Sequence, residues 1–418
     1  MTTMGSVGII AILVLGLVLP EFQAFAQFDP DKGMELAKSI ATGTAPPDVK
    51  VFNVLDFGAK ADGKSLSSIN FIRAFKEACN HAGKAMLLIP KGEFVLGSTL
   101  FSGPCSAAPP LMVSVVGTII AQANTKPAED ADWINFNSID GLIISGKGVF
   151  NGKGETVWKP KCDNQGCGRM PATLKFIKVD NAVISGIQSV NAKGFHVMIS
   201  ICNNFRIDDV NISAPAESPN TDGIHMSKTS MLKITNCRIG TGDDCVSIIH
   251  GSTNISVENT ACGPGHGISI GSLGHYDSEA DVFGITVRNC TLTDTDNGAR
   301  IKTYRNDNPS KASGIIFEDL VMKNVKNPIL IDQEYGNQGD SSKVSISDVQ
   351  FTNIKGTSAS KVAVQLICSK SDPCQGVSLK DIDLQFAGTK EANIPFSSNC
   401  TNVKVAYSGT QSPPPCPP

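Results

Sequence analysis

Apolar and polar residues alternate in a series of eight-residue stretches, here called octets, that recur from about residue 140 onward. The octets are Ile143–Phe150, Val183–Val190, Phe205–Ile212, Leu232–Ile239, Ile255–Cys262, Ile285–Leu292, Ile315–Met322, Val344–Phe351 and Val377–Leu384. Every second side chain of an extended backbone points to the same face, so this alternation predicts half-buried β-strands rather than helices.

The octets return at intervals that fit a stacked coil. From Val183 onward their first residues lie 22, 27, 23, 30, 30, 29 and 33 positions apart. These intervals are shorter than the roughly 40 residues of a propeller blade, and the repeats lack the regularly spaced leucines of a leucine-rich repeat. We therefore predict an all-β chain folded as a right-handed parallel β-helix, in which each coil buries its inward residues against its neighbours.

Most octets carry an Asn or Asp near the middle, where the strand would have to turn. These residues are Asp209, Asn236, Asn259, Asn289, Asp319, Asp348 and Asp381. Asn and Asp suit turns because their side chains hydrogen-bond to nearby backbone and tolerate left-handed conformations. We predict a corner of the coil at each of them.

Both ends of such a solenoid need covers, because open strand edges would pair with other chains. Helical spacing of apolar residues between Ser68 and Cys79 predicts an amphipathic N-terminal cap helix. The Pro-rich end, Gln411–Pro418, is expected to stay outside the sheet. The predicted β-helix domain is residues 51–405, with an N-terminal segment at 27–50 and a tail at 406–418.

The first 26 residues are predicted to be a signal peptide. The run Val7–Leu19 is apolar, uncharged and too short to span a bilayer, and Ala24–Ala26 is a small-x-small cleavage pattern before Gln27. A buried N-terminal helix is the alternative. No later segment is long and apolar enough to cross a membrane. The mature protein is therefore expected to be secreted.

Composition indicates a soluble globular protein without nucleic-acid or membrane partners. The 418 residues are 41% hydrophobic, and 36 Lys and Arg nearly balance 39 Asp and Glu. This balance leaves no strong basic field to attract nucleic acid or anionic lipid, so an anionic partner would need local cations. We expect a monomer.

The 13 cysteines fit an oxidising route, although spacing alone does not determine how they pair. Candidate short-loop bridges are Cys162–Cys167, Cys245–Cys262 and Cys368–Cys374, and the odd count leaves at least one thiol unpaired. Glycosylation sequons begin at Asn211, Asn254, Asn289 and Asn399.

Charged residues of four successive coils are predicted to meet where their strands begin, since neighbouring coils stack only about 4.8 Å apart. The aligned segments are Asp222–His225, Asp243–Val246, His266–Ser269 and Ala299–Lys302. Their inward-facing row would be Ile224, Cys245, Ile268 and Ile301. This register places Asp222, Asp243 and His266 in one column. Asp244 falls in line with Arg300, and Lys302 lies two residues further along the same face.

Such a cluster suits acid–base chemistry. Neighbouring carboxylates repel one another, which raises the pKa of at least one of them and prepares an acid near neutral pH. Hydrolysis of a glycosidic bond needs an acid to protonate the leaving oxygen and a carboxylate to activate water. A single Asp at a solenoid corner more often satisfies turn backbone, so this interpretation depends on the whole column.

The motifs Asn220–Asp222, Gly242–Asp244, Gly265–Gly267 and Arg300–Lys302 resemble, in order and approximate spacing, those of glycoside hydrolase family 28. That family contains the polygalacturonases of pectin breakdown, and the resemblance extends from Phe52 to about residue 400. The surroundings of Asp296–Arg300 and Ile329–Tyr335 are most similar to the plant pollen branch, whose members are often exo-acting.

The resemblance implies an inverting mechanism that needs no cofactor or metal. Asp243 would be the general acid, and Asp222 and Asp244 together would position and deprotonate the attacking water. His266 would tune the protonation of the acid. Inversion would require acid and base carboxyl groups about 6.5–9.5 Å apart.

The resemblance also implies residues that hold the substrate. Arg300 and Lys302 would bind a galacturonate carboxylate, and Asn220 is assigned to substrate binding. Tyr335 either stacks on a sugar or packs in the core. With only two Trp and four Tyr in the chain, we expect no extended aromatic platform for several sugars.

The expected function is exo-acting hydrolysis of the α-1,4-galacturonosidic bonds of polygalacturonate in the plant cell wall. Endo-polygalacturonase and rhamnogalacturonan hydrolase are alternatives within the same family. A pectate lyase would instead use Asp222, Asp243 and Asp244 to hold calcium. A non-catalytic wall-binding protein could use the same groove without cutting the polymer.

Overall fold

The computed structural model describes residues 28–123, 132–158, 170–336, 339–389 and 395–417. Over these residues the chain winds into the predicted right-handed parallel β-helix. The predicted signal peptide, residues 1–26, and the candidate Cys162–Cys167 bridge lie outside the described residues. No helix in the described ranges is both long enough and apolar enough to cross a membrane.

The secondary structure consists almost entirely of strands. The helices are α1 (Pro30–Ile40) and α2 (Ser68–Cys79), with short 3-10 turns at Val54–Phe57 and Gly154–Thr156. The strands are β1 (Lys50–Asn53), β2 (Asp62–Leu66), β3 (Ala85–Ile89), β4 (Glu93–Leu96), β5 (Thr99–Ser102), β6 (Leu111–Val115), β7 (Thr118–Ala121), β8 (Ile134–Gly146), β9 (Val149–Asn151), β10 (Leu174–Ser185), β11 (Gln188–Val190), β12 (Val197–Ser200), β13 (Asn203–Asp208), β14 (Asn211–Ser213), β15 (Ile224–Ser227), β16 (Ser230–Thr235), β17 (Arg238–Gly240), β18 (Val246–Ile248), β19 (Thr253–Glu258), β20 (Ala261–Cys262), β21 (Ile268–Leu273), β22 (Val282–Arg288), β23 (Thr291–Thr293), β24 (Asn297–Tyr304), β25 (Ser310–Val325), β26 (Asn327–Tyr335), β27 (Val344–Ser358), β28 (Val362–Ile367), β29 (Cys374–Phe386), β30 (Ser397–Thr401) and β31 (Val403–Ser412).

The strands stack from coil to coil in parallel ladders. The ladder that carries the predicted site, here called the site ladder, contains β5, the first parts of β8 and β10, and then β12, β15, β18, β21, β24, β26, β28 and β30. Inward-facing side chains form continuous rows in the core. Phe136 stacks on Phe176 with ring centroids 5.3 Å apart, and Phe317 stacks on Phe351 at the same distance.

The Asn and Asp residues in the middle of the octets lie in the predicted turn conformation. All seven are left-handed, with φ between 52° and 55°. Their side chains link successive coils, as where Asn289 Nδ2 donates to Asn259 Oδ1 at 2.7 Å. Asp348 belongs to a different row of corners, because Val349 pairs with Ile315 and Asn353 continues the row of Asp319.

Helix α2 confirms the predicted cap, and its buried Phe71, Ala74 and Phe75 join the main core. Helix α1, inside the segment predicted only as residues 27–50, was not expected. It packs on the outer face of the β-helix, where its Ala37 and Ile40 share a second core with outward-facing side chains of several strands. The strand residues of that core are Met86, Met112, Ile143 and Val183.

The C-terminal end differs from the prediction. Strand β31 continues to Ser412, and its residues Gln411 and Ser412 pair with Ile382 and Asp383 of β29. The boundary of the tail at residue 406 is therefore wrong, because the prolines that cannot join a sheet begin only at Pro413. The sheet-free part of the described tail is residues 413–417.

Disulfides join neighbouring coils, and one further disulfide lies at each end of the solenoid. The candidate bridges Cys245–Cys262 and Cys368–Cys374 are both present. Cys79–Cys105 ties the end of α2 to the first coils, and Cys400–Cys416 ties the tail to the last coil. Among the described residues, Cys202, Cys237 and Cys290 are buried free thiols.

Candidate active site

Four neighbouring strands of the site ladder, β15, β18, β21 and β24, carry the predicted motifs at or near their first residues. Their inward-facing row is Ile224, Val246, Ile268 and Ala299. The predicted row with Cys245 and Ile301 is therefore wrong. Cys245 and Val246 are both apolar, so alternation could not choose between them, and Ala299 and Ile301 share one face of their strand.

The corrected register changes which charged residues are neighbours. It places the backbones of Asp222, Asp244 and His266 side by side, with Asp243 one residue ahead of the column. The predicted column with Asp243 in its middle is wrong, and Arg300 lies three residues beyond the level of Asp244 instead of beside it. Asp222, Asp243 and Asp244 still line one cleft, and His266 and Arg300 contact Asp243 and Asp244 from beside it.

His266 reaches Asp243 from a bend that requires the glycine after it. Gly267 has φ of 85°, and a Cβ at this position would lie 1.9 Å from the carbonyl oxygen of Asn297 in the next coil. A larger residue would push the two coils apart. The short Gly-His-Gly motif is therefore needed for the close approach of the coils as well as for the imidazole.

Asp243 and His266 form a hydrogen-bonded pair at the cleft surface. His266 Nδ1 lies 3.0 Å from Asp243 Oδ1, and Asn220 Nδ2 donates to Asp243 Oδ2 at 3.4 Å. Burial by itself would raise the pKa of Asp243, but the hydrogen bond and charge of His266, with the charge of Lys302, lower it below its usual value. The hydrogen bond to Asp243 in turn raises the pKa of His266, against the effect of burial.

Asp244 is buried and bound to the two predicted cations. Lys302 Nζ donates to Asp244 Oδ2 at 2.9 Å, and Arg300 Nη1 lies 3.7 Å from Oδ1. Ser269 Oγ, which sequence reasoning missed, donates to Oδ1 at 2.7 Å. Burial would lower the pKa of Lys302, but the charge of Asp244 raises it above its usual value. Arg300 and Lys302 thus both pair with a carboxylate of the protein itself.

Asp222 lies in a different environment from the other two carboxylates. Its side chain is buried, and His225 Nδ1 lies 3.1 Å from Asp222 Oδ2. Burial raises the pKa of Asp222 to about 6, the charges of Asp243 and Asp244 add to the rise, and the hydrogen bond from His225 opposes it. Sequence reasoning missed His225, although it stands three residues after Asp222 at an outward position of β15.

The cleft over these strands has a volume of about 450 Å³, and one wall is aromatic. Three of the four tyrosines of the chain, Tyr276, Tyr304 and Tyr335, line it. The rings of Tyr304 and Tyr335 are 5.1 Å apart. Arg300 and Lys302 lie 5.6 and 5.3 Å from the centre of the Tyr335 ring, so Tyr335 faces the cleft and is not a core residue.

The family model for glycosyl hydrolases family 28 matches residues 79–409. The chain belongs to this family. An exopolygalacturonase of Arabidopsis thaliana is 44% identical over 392 residues, which cover 91% of this chain and 90% of the relative. An exopolygalacturonase of Platanus acerifolia is 41% identical over 370 residues, which cover 87% of this chain and 97% of the relative.

Solved structures share the fold of this family 28 chain. A hyperthermoactive exopolygalacturonase from Thermotoga maritima superimposes with a TM-score of 0.72 at 22% identity, covering 89% of this chain and 95% of the other. An endo-xylogalacturonan hydrolase from Aspergillus tubingensis gives 0.71 at 22% identity, covering 86% and 100%. At this level of identity the likeness supports the fold alone.

The acidic cluster of this family 28 chain does not fit a divalent cation. Asp243, Asp244 and His266 each offer a ligand atom within 4.8 Å of the others. However, the ammonium group of Lys302 lies 2.9 Å from Asp244, and the guanidinium group of Arg300 also faces it. A calcium ion would have to bind against these two positive charges, and it prefers six to eight oxygen ligands.

Proposed function

We propose that the chain hydrolyses the α-1,4-galacturonosidic bonds of polygalacturonate with inversion, removing units from a chain end. The observation that carries this proposal is a cleft lined by Asp222, Asp243, Asp244 and Lys302, where His266 is hydrogen-bonded to Asp243 and Arg300 pairs with Asp244. The exopolygalacturonase relatives, at 44% and 41% identity, support the substrate and the exo mode. We further propose that the enzyme is secreted and acts in the cell wall as a monomer.

The proton for the leaving oxygen comes from the Asp243–His266 pair. Because the pKa of His266 is raised and that of Asp243 is lowered, the proton of the pair rests on the imidazole in the free enzyme. Two strongly interacting groups titrate as one unit, so the pair as a whole is the acid. As negative charge develops on the leaving oxygen, His266 passes its proton to Asp243 across the 3.0 Å hydrogen bond and Asp243 passes a proton to the leaving oxygen, so that Asp243 ends ionised and His266 neutral.

The attacking water is activated by Asp222 and Asp244, whose backbones are neighbours in successive coils. Asp244 is fixed by Lys302 and Ser269, so its orientation is set before the substrate binds. Asp222 takes the proton of the water, because its raised pKa of about 6 suits a general base near neutral pH. The two cations and Tyr335 then bind the galacturonate carboxylate and the sugar face.

The product anomer tests the water-mediated mechanism. In an inverting glycosidase the water attacks from the face of the sugar opposite the leaving oxygen, so the first product has the inverted anomeric configuration. Proton NMR of the first products of an oligogalacturonide should show the β-anomer released from the α-linked chain. The α-anomer would refute the proposed mechanism.

The same reaction tests the exo mode. Monogalacturonate should be released from the first minutes, while the viscosity of polygalacturonate falls slowly. A viscosity that collapses before monomer accumulates would show endo action, and release of products only from rhamnogalacturonan would show a different substrate. An unsaturated product absorbing in the ultraviolet, formed only without chelator, would identify a lyase. Tight polymer binding without any cleavage would identify a wall-binding protein.

The pH dependence of kcat/KM should be bell-shaped. On the acid side the rate rises with pH as Asp222 loses its proton, at a pKa of about 6. On the basic side it falls as pH passes the raised pKa of His266, because the Asp243–His266 pair then loses the proton that it must donate. Initial rates on one oligogalacturonide across the pH range measure both limbs. A basic limb that does not move to lower pH in His266→Gln would contradict this assignment.

A further inference from the structure

His225 forms a second hydrogen-bonded pair with a carboxylate, separate from the Asp243–His266 pair. Its ring lies on β15 and lines the cleft, with Nδ1 3.1 Å from Asp222 Oδ2. One face of the ring stacks on Phe195, with centroids 4.2 Å apart and planes inclined by 13°. The imidazole is therefore held both by a hydrogen bond along its edge and by an aromatic ring against its face.

The hydrogen bond from His225 fixes one oxygen of Asp222. No other side-chain hydrogen bond to Asp222 occurs among the described residues, so the orientation of this carboxylate depends on His225. An imidazole that donates from Nδ1 to Oδ2 leaves Oδ1 of Asp222 as the oxygen able to accept a proton from water. A carboxylate with no such partner could rotate about its Cα–Cβ and Cβ–Cγ bonds and lose this alignment.

We propose that His225, supported by Phe195, is a positioning residue that aims Asp222 at the attacking water. This inference rests on the proposed function, since it takes Asp222 to be the base. A histidine on an outward strand position could instead serve only to pack the cleft floor. The stacking and the hydrogen bond together favour the positioning role. Packing alone would not direct Nδ1 at Asp222, the carboxylate with the fewest side-chain hydrogen bonds of the three among the described residues.

The electrostatics of the site support this role. Burial and the charges of Asp243 and Asp244 raise the pKa of Asp222, and the hydrogen bond from His225 opposes that rise. His250, two residues after the neighbouring strand β18, also faces His225, and burial lowers the pKa of His250 below its usual value. A base must be ionised to act. Without the hydrogen bond, Asp222 should hold its proton to higher pH, which moves the acid limb of kcat/KM upward.

Two substitutions of similar size and polarity test the proposal. The amide of His225→Asn can occupy the place of Nδ1, whereas that of His225→Gln reaches the place of Nε2. We expect His225→Gln to lower kcat roughly 10- to 100-fold with little change in KM, the scale of a misaligned catalytic group. Its acid limb should move to higher pH. His225→Asn should lose far less kcat and keep the wild-type limb.

A third variant and a direct titration complete the test. Phe195→Leu keeps the hydrogen bond but removes the stacking. It should lower kcat and move the acid limb to higher pH as His225→Gln does, but by a smaller amount. The carboxyl ¹³C signal of Asp222, followed against pH, should titrate at higher pH in His225→Gln than in the wild type. This NMR measurement needs no activity, and thermal unfolding shows whether each variant is folded.

Each outcome decides one of the two proposals. Equal losses in His225→Asn and His225→Gln, or a loss of kcat with an unmoved acid limb, would overturn the role of His225 and leave the proposed function intact. A wild-type enzyme that releases nothing from oligogalacturonide would overturn the proposed function. In that case the NMR titration still tests the role of His225. An Asp222 signal that titrates at the same pH in His225→Gln as in the wild type would overturn that role, whereas titration at higher pH would support it.

Discussion

Replacement of Asp243 by asparagine is expected to lower kcat at least about 100-fold, the scale of losing a general acid, while the protein remains folded. An amide has nearly the same size as a carboxylate, and its oxygen can still accept the hydrogen bond from His266, which lies 3.0 Å away. It cannot deliver a proton to the leaving oxygen. Initial rates on a defined oligogalacturonide measure the loss, and thermal unfolding shows that the fold is kept.

The chain offers a matched control for this substitution. Asp209 occupies a left-handed corner of the β-helix, and the equivalent position in the next coil is already an asparagine, Asn236. Asp209→Asn should therefore leave both activity and stability close to the wild type. Full activity in Asp243→Asn would remove this residue from the mechanism, and a loss of the same size in Asp209→Asn would point to a general effect of the substitution.

The architecture could be predicted because its signal is repeated. Every coil contributes an alternating stretch and a corner, so that errors at single positions, such as the misplaced Asp348, do not change the fold that is inferred. Helix α1 has no such repetition. The outward-facing apolar residues that bind it, among them Met86 and Ile143, lie in strands that are apolar on both faces. Such strands indicate burial without showing what covers them.

The residues of the active site could be predicted better than their arrangement. A family motif names Asp222, Asp243 and Asp244, but a one-residue slip at Cys245 and Val246 was enough to misplace the column. The partners Ser269 and His225 were missed for a related reason. A serine or histidine on a strand is unremarkable in sequence, and its role depends on which carboxylate the neighbouring coil brings to it.

Substitution of Lys302 by methionine is expected to reduce both stability and activity. Lys302 Nζ lies 2.9 Å from Asp244 Oδ2, and the two side chains are only 10% and 2% exposed. Removing one partner of a buried ion pair typically costs about 3–5 kcal/mol of unfolding free energy, because the other charge stays buried without compensation. Here Arg300, 3.7 Å from Asp244, offsets part of the loss, so we expect a value near the lower end. Denaturant unfolding measures it.

The double variant Lys302→Met with Asp244→Asn separates stability from chemistry. Removing both charges eliminates the uncompensated carboxylate, so most of the lost unfolding free energy should return, since buried ion pairs can often be replaced by neutral groups at little cost. Activity should not return, because the double variant lacks both the carboxylate that aligns the water and the cation for galacturonate. If Lys302→Met alone were as stable as the wild type but inactive, the role of Lys302 would be to bind the substrate and not to stabilise the buried carboxylate of Asp244. If the double variant stayed unstable, the loss would reflect packing of the lysine stem rather than the buried charge.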